Sequence, residues 1–406
     1  MTVMKKTLLC LMAGLCVSTA FAETVDSDAD ELKKDKKEFF KSMSEGKSVF
    51  QAVTGYNQKQ DYLHLYMNMH AGYDAMFQDG FQQGKFNIRQ IRIEAKGNLN
   101  SWLSYRYRQR LNRSNDGSGG FDNTSTSIDI AGIGVKLSDK WSLFAGKQCA
   151  SYGGIEFDLN PIEIYEYSDM IENMSNFLTG LNIAYQVTPS QQLQFQVLNS
   201  RNYSIEKTYG NNVEDAKMPL VYTLNWNGNF SDVFKTRWSA SIMNEARGNR
   251  MYYLAFGNEL NLGKVNGFFD VMYSNEGLDR KGMLTNIIGD VNGHNANDAR
   301  YLSLVTKWNY RFNPKWNIFV KGMYETASAG KQLTADSGDV VEKGKYRTSL
   351  GYFAGLEYYP MESNLHFYLT YVGRSYKFED RAKAFGFDDY STNRISVGFI
   401  YQLPVF

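Results

Sequence analysis

Three arginines alternate with other residues in the stretch from Trp102 to Asn112. If this stretch is a β-strand, Arg106, Arg108 and Arg110 lie on one face, because successive side chains of a strand point to opposite faces. Guanidinium groups stay charged and offer paired donors to phosphate or carboxylate. At a same-face spacing of about 7 Å, an anion could exchange one arginine for the next without full rehydration. The pattern predicts a ladder for anions, unless these side chains pair with acids that face them.

A second chemical feature is the segment 149–176, which contains acidic residues but no lysine or arginine. If it folds toward the arginines, its carboxylates would create a transverse field that filters solutes by size and dipole. If it stays outside, the arginines are unopposed and anions are favoured. The sequence leaves both arrangements open. The acidic residues predicted to line such a constriction are Glu156, Asp158, Glu163, Glu166 and Asp169.

Motifs for hydrolytic or metal chemistry are missing from the sequence. It contains no G-x-S-x-G elbow, no H-E-x-x-H motif, no P-loop and no cysteine cluster. His64 and His70 share a strand face, but six residues separate them by about 20 Å, too far for one metal. We therefore predict no enzymatic activity, no metal and no cofactor.

The strands that would position these side chains are predicted from alternation. Apolar Leu103, Tyr105 and Tyr107 occupy the face opposite the arginines. The same period recurs along the chain, and short connections usually alternate with long ones, as in bacterial outer-membrane barrels. No mature segment has the roughly 18 apolar residues of a membrane helix. We predict an all-β fold, a transmembrane antiparallel β-barrel of about 16 strands over residues 61–406, with strands near 62–74, 86–96, 102–112, 126–137, 141–148, 177–187, 192–198, 220–227, 234–244, 251–262, 265–274, 301–312, 316–325, 347–359, 365–375 and 393–403.

Irregularities and end residues add detail to this barrel. Alternation slips inside 86–96 and 126–137, which indicates β-bulges or an error of register. All six tryptophans fall near short connections, which predicts an aromatic girdle at the periplasmic end. The last strand ends on Phe406, as in the assembly signal of outer-membrane barrels.

The N-terminus has the features of an export signal. Lys5 and Lys6 precede an apolar run, and Ala20-Phe21-Ala22 forms an A-x-A site. We predict a signal peptide over 1–22, cleaved near Ala22, followed by a polar periplasmic extension or short helix over 23–60. Without Lys5 and Lys6 the chain has 42 basic and 43 acidic residues, a balance that does not indicate a nucleic-acid partner.

The polar faces of the predicted strands carry more bases than acids. Any wide pore needs charge to stay hydrated, so this excess favours anions only weakly over non-selective diffusion. The basic residues predicted to line the pore are Arg92, Arg106, Arg108, Arg110, Lys235, Arg237, Lys307 and Arg311.

Three short motifs resemble the phosphate-selective porin O/P family. They are the run 86–93 leading to Gly97, then Gly146-Lys147-Gln148, and then Gly153-Gly154-Ile155-Glu156, with the tyrosine/arginine strand between the first two. The resemblance implies a sixteen-stranded, trimeric outer-membrane channel whose lumenal arginines and lysines favour anions. Gln90 stands where the family commonly has a basic residue.

The sequence thus predicts an outer-membrane porin for passive diffusion of small hydrophilic solutes, with anions such as phosphate favoured. Its predicted partners are outer-membrane lipid, small anions or other small solutes, and two further copies of the chain in a homotrimer. A general diffusion porin without anion preference is the first alternative. An outer-membrane enzyme or a surface adhesin that uses the long loops is the alternative from a different class.

Overall fold

Alternating side chains close this chain into a barrel. The computed structural model describes residues 29–55, 61–116 and 120–406. Sixteen antiparallel strands form a closed sheet in which the first strand pairs with the last, and a separate two-stranded ladder, β14–β15, lies in an external connection. The predicted fold class is confirmed. The strands are β1 (His64–Phe77), β2 (Phe81–Asn98), β3 (Leu103–Arg110), β4 (Ile128–Lys136), β5 (Trp141–Cys149), β6 (Phe177–Thr188), β7 (Gln191–Asn199), β8 (Leu220–Phe230), β9 (Phe234–Ala246), β10 (Asn249–Leu262), β11 (Val265–Leu278), β12 (Asn297–Asn313), β13 (Trp316–Ala329), β14 (Leu333–Thr334), β15 (Val340–Val341), β16 (Gly344–Tyr358), β17 (His366–Phe378) and β18 (Tyr390–Pro404).

The two faces of the sheet differ in the way the alternation predicts. On β10, Tyr252 and Leu254 point outward and are 47% and 43% exposed, whereas Met251 and Tyr253 point inward and are fully buried. Apolar side chains that face outward from a closed barrel belong against lipid. The inner face carries the polar residues and part of a hydrophobic core, because a long loop packs inside the barrel.

Both slips in the alternation are β-bulges. On β2, Gln90 and Ile88 pair with consecutive residues of β1, so that Arg89 between them is an extra, unpaired residue. Opposite β3 the register jumps from Ile130 to Ile128, so that Asp129 is the extra residue of β4. A bulge re-aims side chains locally, and both of these residues form ion pairs with inward-facing side chains.

Several strands are longer than predicted at their external ends. β1 and β2 continue to a turn at 78–80, and β12 begins at Asn297 rather than near residue 301. The extension of β1, residues 75–77, is apolar on both faces, and the start of β12, residues 297–300, is largely polar on both faces, so neither shows the alternation that marks the membrane-spanning part.

Eight helical segments, six α-helices and two 3₁₀ turns, complete the described structure. Ser48 caps the helix Val49–Thr54, in which the Phe50 N–H donates to the Val405 carbonyl at 3.0 Å and the Phe50 ring lies 4.6 Å from that of Phe406. Among the described residues, no helix is long and apolar enough to span a membrane. The helices are Ala29–Ser44, Val49–Thr54, Asp169–Glu172, Ile205–Tyr209, Thr285–Ile288 and Asp380–Lys383, and the 3₁₀ segments are Glu156–Asp158 and Pro161–Glu163.

The predicted signal peptide, 1–22, lies outside the described residues, as do 23–28 and 56–60 of the predicted extension. The boundaries of the three predicted segments stay predictions.

Candidate functional site

The connection between β5 and β6, residues 150–176, folds into the barrel and is called here the inner loop. Its backbone enters at Gly153 and Gly154, whose φ angles of +80° and +82° favour glycine. Opposite them on the inner wall stands Gly257 of β10, where an added Cβ would lie 2.7 Å from the Cα of Gly154. Glycine on both sides therefore permits direct contact between the loop backbone and the barrel wall.

Asp270 of β11 holds the next turn of the inner loop. This buried carboxylate accepts the backbone N–H groups of Ile155 at 2.8 Å and of Glu156 at 2.9 Å. Charge-assisted bonds of this kind are stronger than bonds between neutral groups. The sequence shows Asp270 as one lumenal acid among several, and its anchoring role depends on a partner more than a hundred residues away.

The acids of the inner loop are held by bases from distant strands. Asp169 pairs with Arg374 at 2.6 Å and also with Arg347, and Glu166 pairs with Arg394 at 2.8 Å. Glu156 pairs with Lys321, and Asp158 pairs with Arg237. Glu163 is exposed and makes no ion pair with any described residue. Four of the five predicted constriction acids are thus neutralised by the wall behind the loop.

The arginine ladder, Arg106, Arg108 and Arg110, lies on β3, across the barrel from β10 and β11, whose Gly257 and Asp270 contact the inner loop. Arg106 pairs with Glu94 at 2.8 Å, and Arg108 lies 3.3 Å from Asp129. These acids belong to the adjacent strands, so the ladder is not paired with the inner loop.

Arg92 of β2 stands beside the top of the ladder. It is directly opposite Arg110 in the antiparallel pairing of β2 with β3, and its Nε donates to Asp129 at 2.7 Å. Asp129 therefore bridges Arg92 and Arg108. Arg110 has no ion pair within the part of the chain that the structure describes. Its positive charge is therefore uncompensated and faces the space inside the barrel.

That space is a cavity of ≈ 570 Å³ between the β2–β3 wall and the inner loop. Two basic residues of the cavity lining, Arg110 and Arg113, have no ion pair with a described residue. Among the acids of the lining, Glu172 likewise has none. Burial, followed by the nearby Glu166 carboxylate, raises the pKa of Glu172, so this loop residue binds a proton more readily than an ordinary glutamate. The charged lining residues are Arg89, Arg92, Arg110, Arg113, Lys147, Arg374, Glu166, Asp169 and Glu172.

The remaining predicted pore bases are dispersed. Lys235 pairs with Glu259 at 3.2 Å. Lys307 lies 4.7 Å from the centre of the Phe319 ring, and Arg311 donates to the Pro314 carbonyl at 2.6 Å, beside the periplasmic turn. These three do not line the cavity, and of the arginine ladder only Arg110 does, since Arg106 and Arg108 are absent from its lining.

Sequence reasoning missed several residues of this site. Arg89 and Asp129 carried a signal, because the alternation slips at both positions and a bulged residue is free to turn inward. Lys147 is the central residue of the Gly146-Lys147-Gln148 motif, and it binds Asp122 at 3.3 Å. Arg113 follows the end of β3, where alternation no longer applies.

No cluster of three or more potential metal ligands occurs among the described histidine, cysteine and acidic residues. The site consists of charged and aromatic side chains around water-accessible space, which suits it to the passage of a hydrated solute.

A closed barrel with an apolar exterior, a charged interior and a loop folded inside defines the class of outer-membrane β-barrel channels. The family model of phosphate-selective porin O and P matches residues 63–403. The chain belongs to this family, and the resemblance stated from its motifs is confirmed. Among curated proteins, none matches the sequence significantly.

Solved structures show the same fold at low identity. The outer-membrane channel DcaP of Acinetobacter baumannii superposes with a TM-score of 0.55 at 11% identity, covering 84% of this chain and 96% of that one. OmpF of Salmonella typhi, in complex with daunomycin, gives 0.53 at 14% identity, covering 84% and 97%. The anion-selective porin from Comamonas acidovorans gives 0.51 at 7% identity, covering 84% and 99%.

Proposed function

We propose that this outer-membrane porin conducts small hydrophilic solutes with a preference for anions, phosphate included. Family and fold establish an outer-membrane porin channel, and they support a role in solute passage over an enzymatic one. One observation supports the anion preference: Arg110 and Arg113 face the cavity without an ion pair to any described residue, whereas Asp169 and Glu166 are each bound by arginine. Glu172 is the one acid of the cavity lining that also has no ion pair with a described residue, so two uncompensated positive charges stand against one negative charge and the local field is positive.

The acids of the inner loop do not make the field in the cavity negative, because basic residues of the strands behind the loop neutralise them. Asp158 forms an ion pair with Arg237, and Glu156 forms one with Lys321, so both negative charges are neutralised by a direct contact. An acid that is paired at contact distance projects little field beyond its partner. The unpaired arginines at the end of β3 consequently determine the sign of the electrostatic potential that acts on an entering solute.

A reversal potential measured in a KCl gradient across a planar bilayer tests this proposal. We expect chloride to be more permeable than potassium, and the double variant Arg110→Gln/Arg113→Gln to lose most of that preference. The control is Arg247→Gln, at an exposed external turn where Arg247 pairs with Glu214, and its selectivity should match the unmodified protein. Equal permeability of both ions in the unmodified protein would instead establish a general diffusion porin.

The same proposal includes export and assembly. We infer from the A-x-A site at residues 20–22 that the segment 1–22 is removed near Ala22. We also infer that three copies associate in the outer membrane, as membership of this family implies. N-terminal sequencing of the protein purified from outer membranes and its mass in detergent test the two statements separately. A mature start elsewhere contradicts the first, and a monomeric mass contradicts the second.

A further inference from the structure

A groove of ≈ 690 Å³ lies outside the barrel, at the external ends of β9, β10 and β11. We call it the rim groove. It shares no lining residue with the cavity that Arg110 faces. The lining residues that matter here are Lys217, Met218, Asn244, Arg250, Tyr252 and Asn275.

The rim groove faces the lipid side of the wall. Arg250 is two residues from Tyr252 on β10 and therefore shares its outward face. Asn244 of β9 stands directly opposite Arg250, and Asn275 of β11 stands opposite Tyr252. Leu254 continues this face toward the membrane centre and is 43% exposed. Polar and basic groups thus lie immediately above an apolar, lipid-facing surface.

Two cations of the rim groove are uncompensated. Of its basic residues, Arg247 pairs with Glu214 at 2.5 Å and Lys331 pairs with Asp298. Lys217 and Arg250 are exposed and have no ion pair with any residue in the described ranges. Since they lie on the outer surface, their charge cannot serve a solute that passes through the lumen.

We propose that the rim groove binds the phosphate of an anionic lipid in the outer leaflet, with Lys217 and Arg250 as the phosphate ligands. Arginine and lysine both bind phosphate, arginine through paired donors. The lipid, rather than free phosphate, is favoured by the apolar residues around the cations. Met218 is 61% exposed and lines the same groove, and Tyr252 with Leu254 leads from it along the barrel exterior. A headgroup and an acyl chain can therefore be contacted together.

Native mass spectrometry of the full mature protein in detergent, with bisphosphorylated lipid A as the probe, tests this inference. We expect the double variant Lys217→Gln/Arg250→Gln to bind lipid A at least about tenfold more weakly, as the loss of charge-assisted bonds implies. Lipid A from which both phosphates have been removed should bind the unmodified protein equally weakly.

The matched control is Lys345→Gln/Lys377→Gln, which removes two rim charges that are already paired with Glu379 at 2.9 Å and Asp389 at 3.7 Å. It should leave lipid binding unchanged. Unaltered single-channel conductance in both double variants would show that they are folded and that the rim groove is separate from the pore. Equal binding of lipid A to the Lys217/Arg250 variant, or of the dephosphorylated lipid to the unmodified protein, would overturn the proposal. Displacement of lipid A by equimolar inorganic phosphate would also overturn it, in favour of a free-anion site.

Discussion

At the scale of single residues, Asp129 determines how much of the ladder's charge is available. Its side chain is 1% exposed and touches Arg92, which is fully buried, and Arg108, which is 7% exposed. One carboxylate thus compensates two guanidinium groups, and both arginines depend on it. Because Asp129 is the extra residue of a bulge, a regular strand could not have placed it between them.

Asp129→Asn should destabilise the barrel, because it leaves two buried arginines without a charged partner. Removal of one member of a buried ion pair costs about 3–5 kcal/mol, so we expect a clear fall in the temperature at which the folded species is lost on semi-native gels. Glu94→Gln is the control, since its partner Arg106 is 41% exposed and can be hydrated. Equal effects of the two substitutions would contradict a special role for Asp129.

At the scale of elements, the position of the inner loop follows from the wall behind it. Gly257 permits the close approach, and Asp270 holds two backbone N–H groups. The sequence revealed the loop by its length and its acids, and it left the direction of folding open. That direction depends on contacts between residues about 80 to 230 positions apart, for which a periodic pattern carries no information. The bulges, by contrast, were visible as slips within a single strand.

Gly257→Ala should lower the single-channel conductance. The new Cβ would lie 2.7 Å from the Cα of Gly154 and 2.8 Å from the nitrogen of Ile155, so the loop must move off this wall and toward the ladder, which narrows the cavity. Conductance in planar bilayers measures the effect.

A suitable control is Gly322→Ala, where the added Cβ would meet only the Cγ2 atom of Thr306 at an ordinary 3.7 Å. Its conductance should equal that of the unmodified protein. Unchanged or increased conductance in Gly257→Ala would show that the contact between loop and wall does not set the width of the cavity.

At the scale of the whole molecule, the barrel was predictable because one physical rule applies to every strand. Lipid outside and water inside require a period of two, and this period recurs on β1 as on β18. The assignment of pore function to each basic residue was less predictable. Lys235, Lys307 and Arg311 share the inner face with Arg110, yet they do not line the cavity that Arg110 faces, and neither do the other two arginines of the ladder. Alternation gives the face of a side chain but not its depth or its partners.

Anion selectivity that arises from fixed charges in a wet cavity should weaken as salt increases. Between about 0.1 M and about 1 M the Debye length falls from about 10 Å to about 3 Å, so ions away from the wall no longer sense Arg110 and Arg113. Reversal potentials at a constant KCl ratio should therefore decline toward zero as both concentrations rise. Arg110→Gln/Arg113→Gln should show a smaller potential at low salt and a flatter dependence. A potential that is independent of salt would instead indicate that anions are selected by direct contact with guanidinium groups, at distances that the added ions do not screen.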